Sequence, residues 1–188
     1  VLSDEKAALR RLFREKRNAL SPEAHAALSL DACRLIQTLP LWQGSRTVLA
    51  YWPMGSELDI RPLLRLAWQE GKRLLLPRCV FHPRGLALCP VKSEAELLPG
   101  AYGIPEPTPG IGPVPPCQVD LALVPVVAMD EDGFRLGNGG GFYDRLLPRI
   151  SCAYLVGFDQ QRTQALPREA HDIRASGWIT PTEWRKCP

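Results

Sequence analysis

The chain has 188 residues, a formal charge of +3, 45% hydrophobic and 23% charged residues, which is room for one ordinary core and hence one domain over residues 1–188. No apolar run approaches the roughly 20 residues of a membrane-crossing helix, and Lys and Arg are interspersed with acids. Neither a membrane span nor a nucleic-acid partner is implied, whereas an anionic small molecule is compatible. Six scattered cysteines lack a C-x-x-C pair or a His at zinc-binding spacing, so reduced thiols in a cytoplasmic protein are expected. The charged amphipathic start has neither a secretory h-region nor a clean transit-peptide pattern.

In chain order, Ser3 with Asp4 and Glu5 reads as a capped helix start, with Leu9, Leu12, Phe13 and Leu20 as its apolar stripe. Ser21-Pro22 starts a second helix carrying Leu28, Leu30, Leu35 and Ile36. Residues 47–52 read as a buried strand, 60–70 as a helix stopped by Gly71, and 74–76 as the next strand. That order is the mark of a parallel βαβ unit. Residues 86–89 offer a short strand, and 99–117, rich in Pro and Gly, read as an irregular surface loop. Residues 120–129 form an apolar run interrupted by Pro125, read as a central strand, and a Gly-rich loop follows it. Residues 142–147 start a short helix, and 154–158 and 178–180 are further strands. The alternation predicts an α/β fold, a mainly parallel sheet flanked by helices on both faces, with the Gly-rich phosphate loop at the C-terminal end of a strand.

That loop is Arg135-Leu136-Gly137-Asn138-Gly139-Gly140-Gly141-Phe142-Tyr143-Asp144-Arg145. Residues without Cβ let several N–H groups face one point, and the helix start adds its positive dipole end, which together cradle phosphate. A flexible connection is the equal alternative for a glycine cluster alone. The segment has no Lys-Ser/Thr of a P-loop, and Phe142 or Asp144 stands where a dinucleotide fingerprint needs its third glycine.

These residues resemble the 5-formyltetrahydrofolate cyclo-ligase family, whose segment is similar to D-x-x-G-x-R-L-G-x-G-G-G-Y-Y-D-R. Asp130, Gly133, Arg135, Leu136, Gly137 and Gly139 match it, as do Gly140, Gly141, Tyr143, Asp144 and Arg145; Phe142 replaces the first Tyr. The resemblance runs from Lys6-x-x-x-Arg10 to His171-Asp172 and implies ATP and Mg²⁺ as cofactors. Lys6 and Arg10, alone a solvated helix face, become by resemblance a phosphate clamp, with Arg135 and residues 136–143 completing the ATP site. Arg14 and Arg17 stay on the solvated face.

The resemblance likewise places the substrate-binding acid at Glu57, where a helix-start acid is the plainer reading, with Trp52 and Met54 as either pocket wall or core. Asp144 and Asp172 are candidates for Mg²⁺, a turn role standing equally for Asp172. Arg145 and Tyr143 are the expected catalytic pair: Arg145 against developing charge, Tyr143 lining the gap between ATP and folate. None of His25, His82 and His171 is assigned to catalysis. The implied reaction is ATP-dependent closure of 5-formyltetrahydrofolate, with or without a polyglutamate tail, to 5,10-methenyltetrahydrofolate, ADP and phosphate, through an iminium phosphate and by a monomer. A nucleotide- or phosphosugar-binding regulatory domain is the alternative, and a dehydrogenase the third.

Overall fold

A computed structural model describes residues 2–187. Its helices are α1 (Leu2–Asn18), α2 (Pro22–Thr38), α3 (Pro40–Gln43), α4 (Arg61–Gln69) and α5 (Phe142–Leu146). Its strands are β1 (Thr47–Leu49), β2 (Arg73–Phe81), β3 (Arg84–Pro90), β4 (Leu97–Pro99), β5 (Pro105–Pro107) and β6 (Leu121–Pro125), followed by β7 (Ala128–Asp130), β8 (Arg135–Leu136), β9 (Ala153–Val156), β10 (Arg162–Thr163), β11 (Gly177–Ile179) and β12 (Trp184–Lys186). Seven strands form the main sheet in the order β12-β11-β9-β6-β1-β2-β3. The five inner strands run parallel, and β3 and β12 pair antiparallel at the two edges.

Alternate residues of the inner strands enter two cores, as the two-residue period of a strand requires. Val48, Leu74, Leu76, Leu121 and Leu123 meet Ile36 of α2, Trp42 of α3 and Leu63 and Leu64 of α4. Leu49, Leu75, Ala122, Val124 and Leu155 meet Trp178 and the α5 end, Leu146 and Leu147. A sheet apolar on both sides therefore needs cover on both, and the second face gets it from short pieces and loops rather than long helices.

Local signals hold where the partner is near in sequence. Ser21 Oγ accepts the Ala24 N–H at 3.1 Å and Pro22 follows it into α2. Gly71, at φ +70°, ends α4: its N–H reaches Trp68 O and the Lys72 N–H reaches Ala67 O, the paired bonds that need a left-handed residue. Leu12 and Leu30, expected on apolar stripes, are instead exposed. α1 is held by Leu9 and Phe13, which pack against Val127, Ala128 and Leu136.

Two expectations change. Residues 99–117 are not simply an irregular loop: β5 pairs with β4, and Val114 bridges to Leu88. The apolar run 120–129 is not one strand. It leaves the sheet at Pro125, and Gln161 Nε2 donates to the Val126 and Val127 carbonyls at 2.8 and 3.0 Å, replacing the lost ladder. The chain then enters a small sheet, β10-β7-β8, so the Gly-rich loop follows β8 rather than the central strand.

Asp130 fastens this small sheet. Its carboxylate is fully buried. Oδ1 accepts the N–H groups of Asp132 and Phe134 at 3.1 and 2.9 Å, and Oδ2 accepts the Leu166 N–H and Arg168 Nη2, both at 3.1 Å. All four partners are donors, so either flip of an amide turns its NH₂ toward N–H groups. Asp130→Asn is expected to cost about 2–3 kcal/mol in urea unfolding, and a loss below about 0.5 kcal/mol would show that these donors find other acceptors.

Candidate functional site

The order of the main sheet reverses at β1 and β6: from β1 the chain builds outward through β2 and β3, then returns to lay β6 on β1's other side. Segments leaving the C-terminal ends of two such strands diverge and open a crevice, the ligand position of open α/β sheets. A cavity of about 660 Å³ lies here, walled by Tyr51 and Trp52 beyond β1 and by Pro125, Val126 and Val127 at the end of β6. Into it come Lys6 and Arg10 from α1, Met54 and Glu57, Arg135 and Leu136, the loop Gly137-Asn138-Gly139-Gly140-Gly141, Phe142, Tyr143, Asp144 and Asp172. One expected site residue stays outside. Arg145 is exposed and turns back, Nη1 donating to Gly141 O at 2.8 Å, because the first turn of α5 aims it away from the crevice.

Arginines hold the Gly-rich loop by its carbonyls. Arg10 Nε donates to Gly137 O at 2.9 Å and Arg84 Nη1 to Gly140 O at 3.4 Å, while Arg14 Nη2 holds the Asn138 side chain at 2.8 Å. Among the described residues, no protein oxygen accepts the N–H groups of residues 138–141. Gly139 takes φ +95°, a conformation L side chains rarely adopt. Carbonyls tied and amides open give an anion-binding concavity.

Arg135 is the cation at its centre, with a side chain only 5% exposed. Nη2 meets Asp144 Oδ1 at 2.6 Å, the guanidinium lies 5.4 Å from the Tyr143 ring centre, and Nε is buried without a partner. A buried N–H of that kind calls for an acceptor the protein does not provide. Nearby, Asp172 is held by Lys6 Nζ at 2.6 Å and by the Glu169 N–H at 2.7 Å. Burial would raise its pKa, but these donors outweigh it and keep the pKa low. Glu169, His171 and Asp172 bring one donor atom each within 4.8 Å of the others. Mostly carboxylate oxygen suits a hard divalent cation, and the acids already draw Lys6 and Arg135, so the donors fit Mg²⁺.

Beyond β1 the lining sets Glu57 beside the apolar Trp52 and Met54. Glu57 Oε2 accepts the Met54 N–H at 3.0 Å while the Glu57 N–H returns to Met54 O at 2.9 Å, closing a tight turn after β1. Burial raises the Glu57 pKa, against the Met54 N–H and the Arg17 charge, which lower it. Arg17, placed on a solvated face by the sequence, is half-buried and donates from Nε to Ser56 Oγ at 2.9 Å. Tyr143 lies in the fields of both Glu57 and Arg135, and burial dominates in raising its pKa. It lines the same cavity as Glu57 and the basic loop.

Sequence reasoning missed several lining residues: Tyr51, Cys79, Tyr102, Glu106, Glu169 and His171. Glu106 is buried, and its Oε1 accepts the Cys79 N–H at 3.1 Å. Burial first, then Glu106, pushes the Cys79 thiol to about 12, so it is no nucleophile. An acid between two prolines, as in Pro105-Glu106-Pro107, was the available signal; composition alone hid it.

The description "5-formyltetrahydrofolate cyclo-ligase family" belongs to the family model that matches residues 2–181. The chain is 35% identical over 184 residues to 5-formyltetrahydrofolate cyclo-ligase of Escherichia coli (strain K12), with 92% of this chain and 100% of that protein aligned. Its fold is similar to the NMR structure of Aquifex aeolicus 5,10-methenyltetrahydrofolate synthetase, with TM-score 0.86 and 37% identity over 96% of this chain and 92% of that one. It is also similar to the Mycoplasma pneumoniae 5,10-methenyltetrahydrofolate synthetase, with TM-score 0.76 over 94% and 99% of the two chains, though at 21% identity that likeness concerns the fold alone. With residues 135–144 of its motif lining one crevice and the family model spanning nearly its whole length, the chain belongs to the 5-formyltetrahydrofolate cyclo-ligase family of enzymes.

Proposed function

We propose that the protein closes 5-formyltetrahydrofolate to 5,10-methenyltetrahydrofolate, converting ATP to ADP and phosphate. The observation that carries this reading is a single cavity lined by the Gly-rich loop with its open amides and by Arg135, and also by Glu57, Trp52, Met54 and Tyr143. Such a cavity can bring a polyphosphate and a flat heterocycle together, which is what transfer between them requires.

The formyl oxygen attacks the γ-phosphorus, the bond to the ADP oxygen breaks, and an N5-iminium phosphate results. N10 then attacks the formyl carbon and loses its proton, and the C–O bond breaks with its electrons leaving on phosphate. The loop amides, Lys6 and Arg10 hold the phosphates, and Arg135 rather than the outward Arg145 faces the transferred group. Asp144 and Asp172 would hold Mg²⁺, which supplies neutralising charge to the phosphate oxygens. Glu57 accepts N–H donors of the pterin ring, Trp52 and Met54 give it an apolar face, and Tyr143 closes the gap and keeps water from the iminium phosphate. Residues 1–188 act as one unit, a monomer in the cytoplasm, on folate with or without a polyglutamate tail. Among the described residues no helix is long and apolar enough to cross a membrane.

Three measurements test this. Gly139→Ala forces a Cβ onto a φ of +95°, while the nearest atom it would meet, Arg10 Cζ, is 3.7 Å away. The penalty is therefore backbone strain of about 1–3 kcal/mol. The KM for ATP is expected to rise several-fold with the folate KM held, and unchanged ATP kinetics in the folded variant would remove the loop from the site.

Glu57→Gln keeps the shape and puts a donor where the pterin offers donors. The folate KM is expected to rise with ATP binding kept. In the wild type, folate kcat/KM falls as the pH drops through the Glu57 pKa, which lies above its ordinary 4.5. The variant loses that acid limb. A pH profile identical in both proteins would leave Glu57 as part of a turn and nothing more.

The third measurement follows substrate carrying heavy oxygen in its formyl group. Phosphoryl transfer to that oxygen leaves the label in inorganic phosphate. Mass spectrometry showing it in water would instead mean ring closure by acid-catalysed dehydration, and would overturn the phosphoryl-transfer route.

A further inference from the structure

Lys6 and Arg10 lie one turn apart on α1 and both line the cavity, yet only Arg10 touches the Gly-rich loop. The Lys6 ammonium sits 2.7 Å from Glu169 Oε2 and 2.6 Å from Asp172 Oδ2, with its side chain 9% exposed. The donor atoms of Glu169, His171 and Asp172 span no more than 4.8 Å. Two ligands on opposite sides of a divalent cation, each about 2.0–2.5 Å from it, are separated by about that much. An ammonium thus stands where a metal ion's charge would act.

The charges constrain how a metal could enter. Glu169 and Asp172 bring two negative charges and Lys6 returns one. A divalent cation would satisfy both acids and release Lys6, but that would leave a side chain only 9% exposed without an anion, beside an Arg135 already committed to Asp144. Only a polyphosphate arriving with the metal balances the set, and the buried Arg135 Nε, without a partner in the same cavity, is already in want of an acceptor.

Resting on the reading that Asp172 faces the metal, we propose that Lys6 occupies the divalent-cation seat from within, shared by Glu169 and Asp172, and transfers to the nucleotide's phosphates when metal and nucleotide enter together. Lys6 is then an exchange group that couples the two ligands, and Glu169 is the residue that holds it in its waiting position. A purely structural ion pair would make the opposite demand, that losing Lys6 leave metal binding no better.

The test titrates Mn²⁺ into protein without nucleotide, with free ion followed by electron paramagnetic resonance. Lys6→Met, which keeps length and loses charge, is expected to bind Mn²⁺ more tightly than wild type, on the order of tenfold, whereas Lys6→Arg stays weak. A non-hydrolysable ATP analogue should strengthen Mn²⁺ binding strongly in wild type and much less in Lys6→Met. Adding Asp172→Asn to Lys6→Met should abolish the gain. Equal or weaker Mn²⁺ binding by Lys6→Met, or a gain that survives loss of Asp172, overturns the proposal. Should Lys6→Met fail to fold, the wild type decides: the Lys6 ammonium ¹⁵N signal, identified by its loss in Lys6→Arg, must move when Mg²⁺ and the analogue are added together, and a stationary signal overturns the exchange. Wild-type protein that forms methenyl product with Mg²⁺ and ATP while failing these tests sinks the exchange alone; absence of product sinks the function it rests on.

Discussion

The site depends on two neighbouring parallel strands whose onward chains part company. β1 and β6 are hydrogen-bonded side by side, but β1 leads toward β2 and β6 toward β9 on the other flank. No crossover covers the gap above their ends. Because both sheet faces are buried, by Ile36, Leu64 and Trp42 on one side and by Leu146 and Leu147 on the other, the crevice is the natural opening for a ligand. Pro125 sharpens it, since β6 stops there and the carbonyls of Val126 and Val127 turn to Gln161. The apolar run is thereby steered out of the sheet and into the hairpin that presents Arg135.

Charge is then arranged so that the two most buried cations of the site are each paired. Arg135 is matched by Asp144, and Lys6 by Glu169 and Asp172. Burial by itself would favour the neutral lysine, yet its hydrogen bonds to the two acids outweigh burial and raise its pKa. Removing either partner leaves the other uncompensated, which for buried pairs costs more than the pair itself contributes. In the proposed reaction the same cations would turn to phosphate oxygens, a stronger set of acceptors. Asp130 connects this chemistry to the fold, for it grips the turn before Arg135 with one oxygen and the segment before Glu169 with the other.

Much of this was legible because it was local. The Ser21 cap, the Gly71 stop, the inner strands and the long Gly-rich motif each announce themselves within a few residues. What was not legible is long-range pairing. The strands β8 and β10 are two residues each and owe their existence to β7, and β12 is exposed along its length, so neither carries a periodic signal. Lys6 could be placed on a helix face, but not beside Glu169, 163 residues away. Nor could Arg145 be known to face outward, since a five-residue helix turns by more than a full circle and its register against the crevice is fixed by Tyr143, Leu146 and Leu147 against the core.

The departure at Phe142 obeys the same logic. The family's motif has a tyrosine there, and the loss of a hydroxyl raises the question of what that position does. In the structure the ring is what is used. Arg84 lies 5.5 Å from its centre and Phe81 meets it edge-on at 6.2 Å, while a Cβ added at Gly140 would sit 2.8 Å from its edge. A phenylalanine face attracts a guanidinium and accepts an aromatic edge without a hydroxyl. Arg84, steadied there, donates to the Gly140 carbonyl. The substitution therefore preserves the orientation of the loop, because that orientation is set by the ring and not by its missing oxygen.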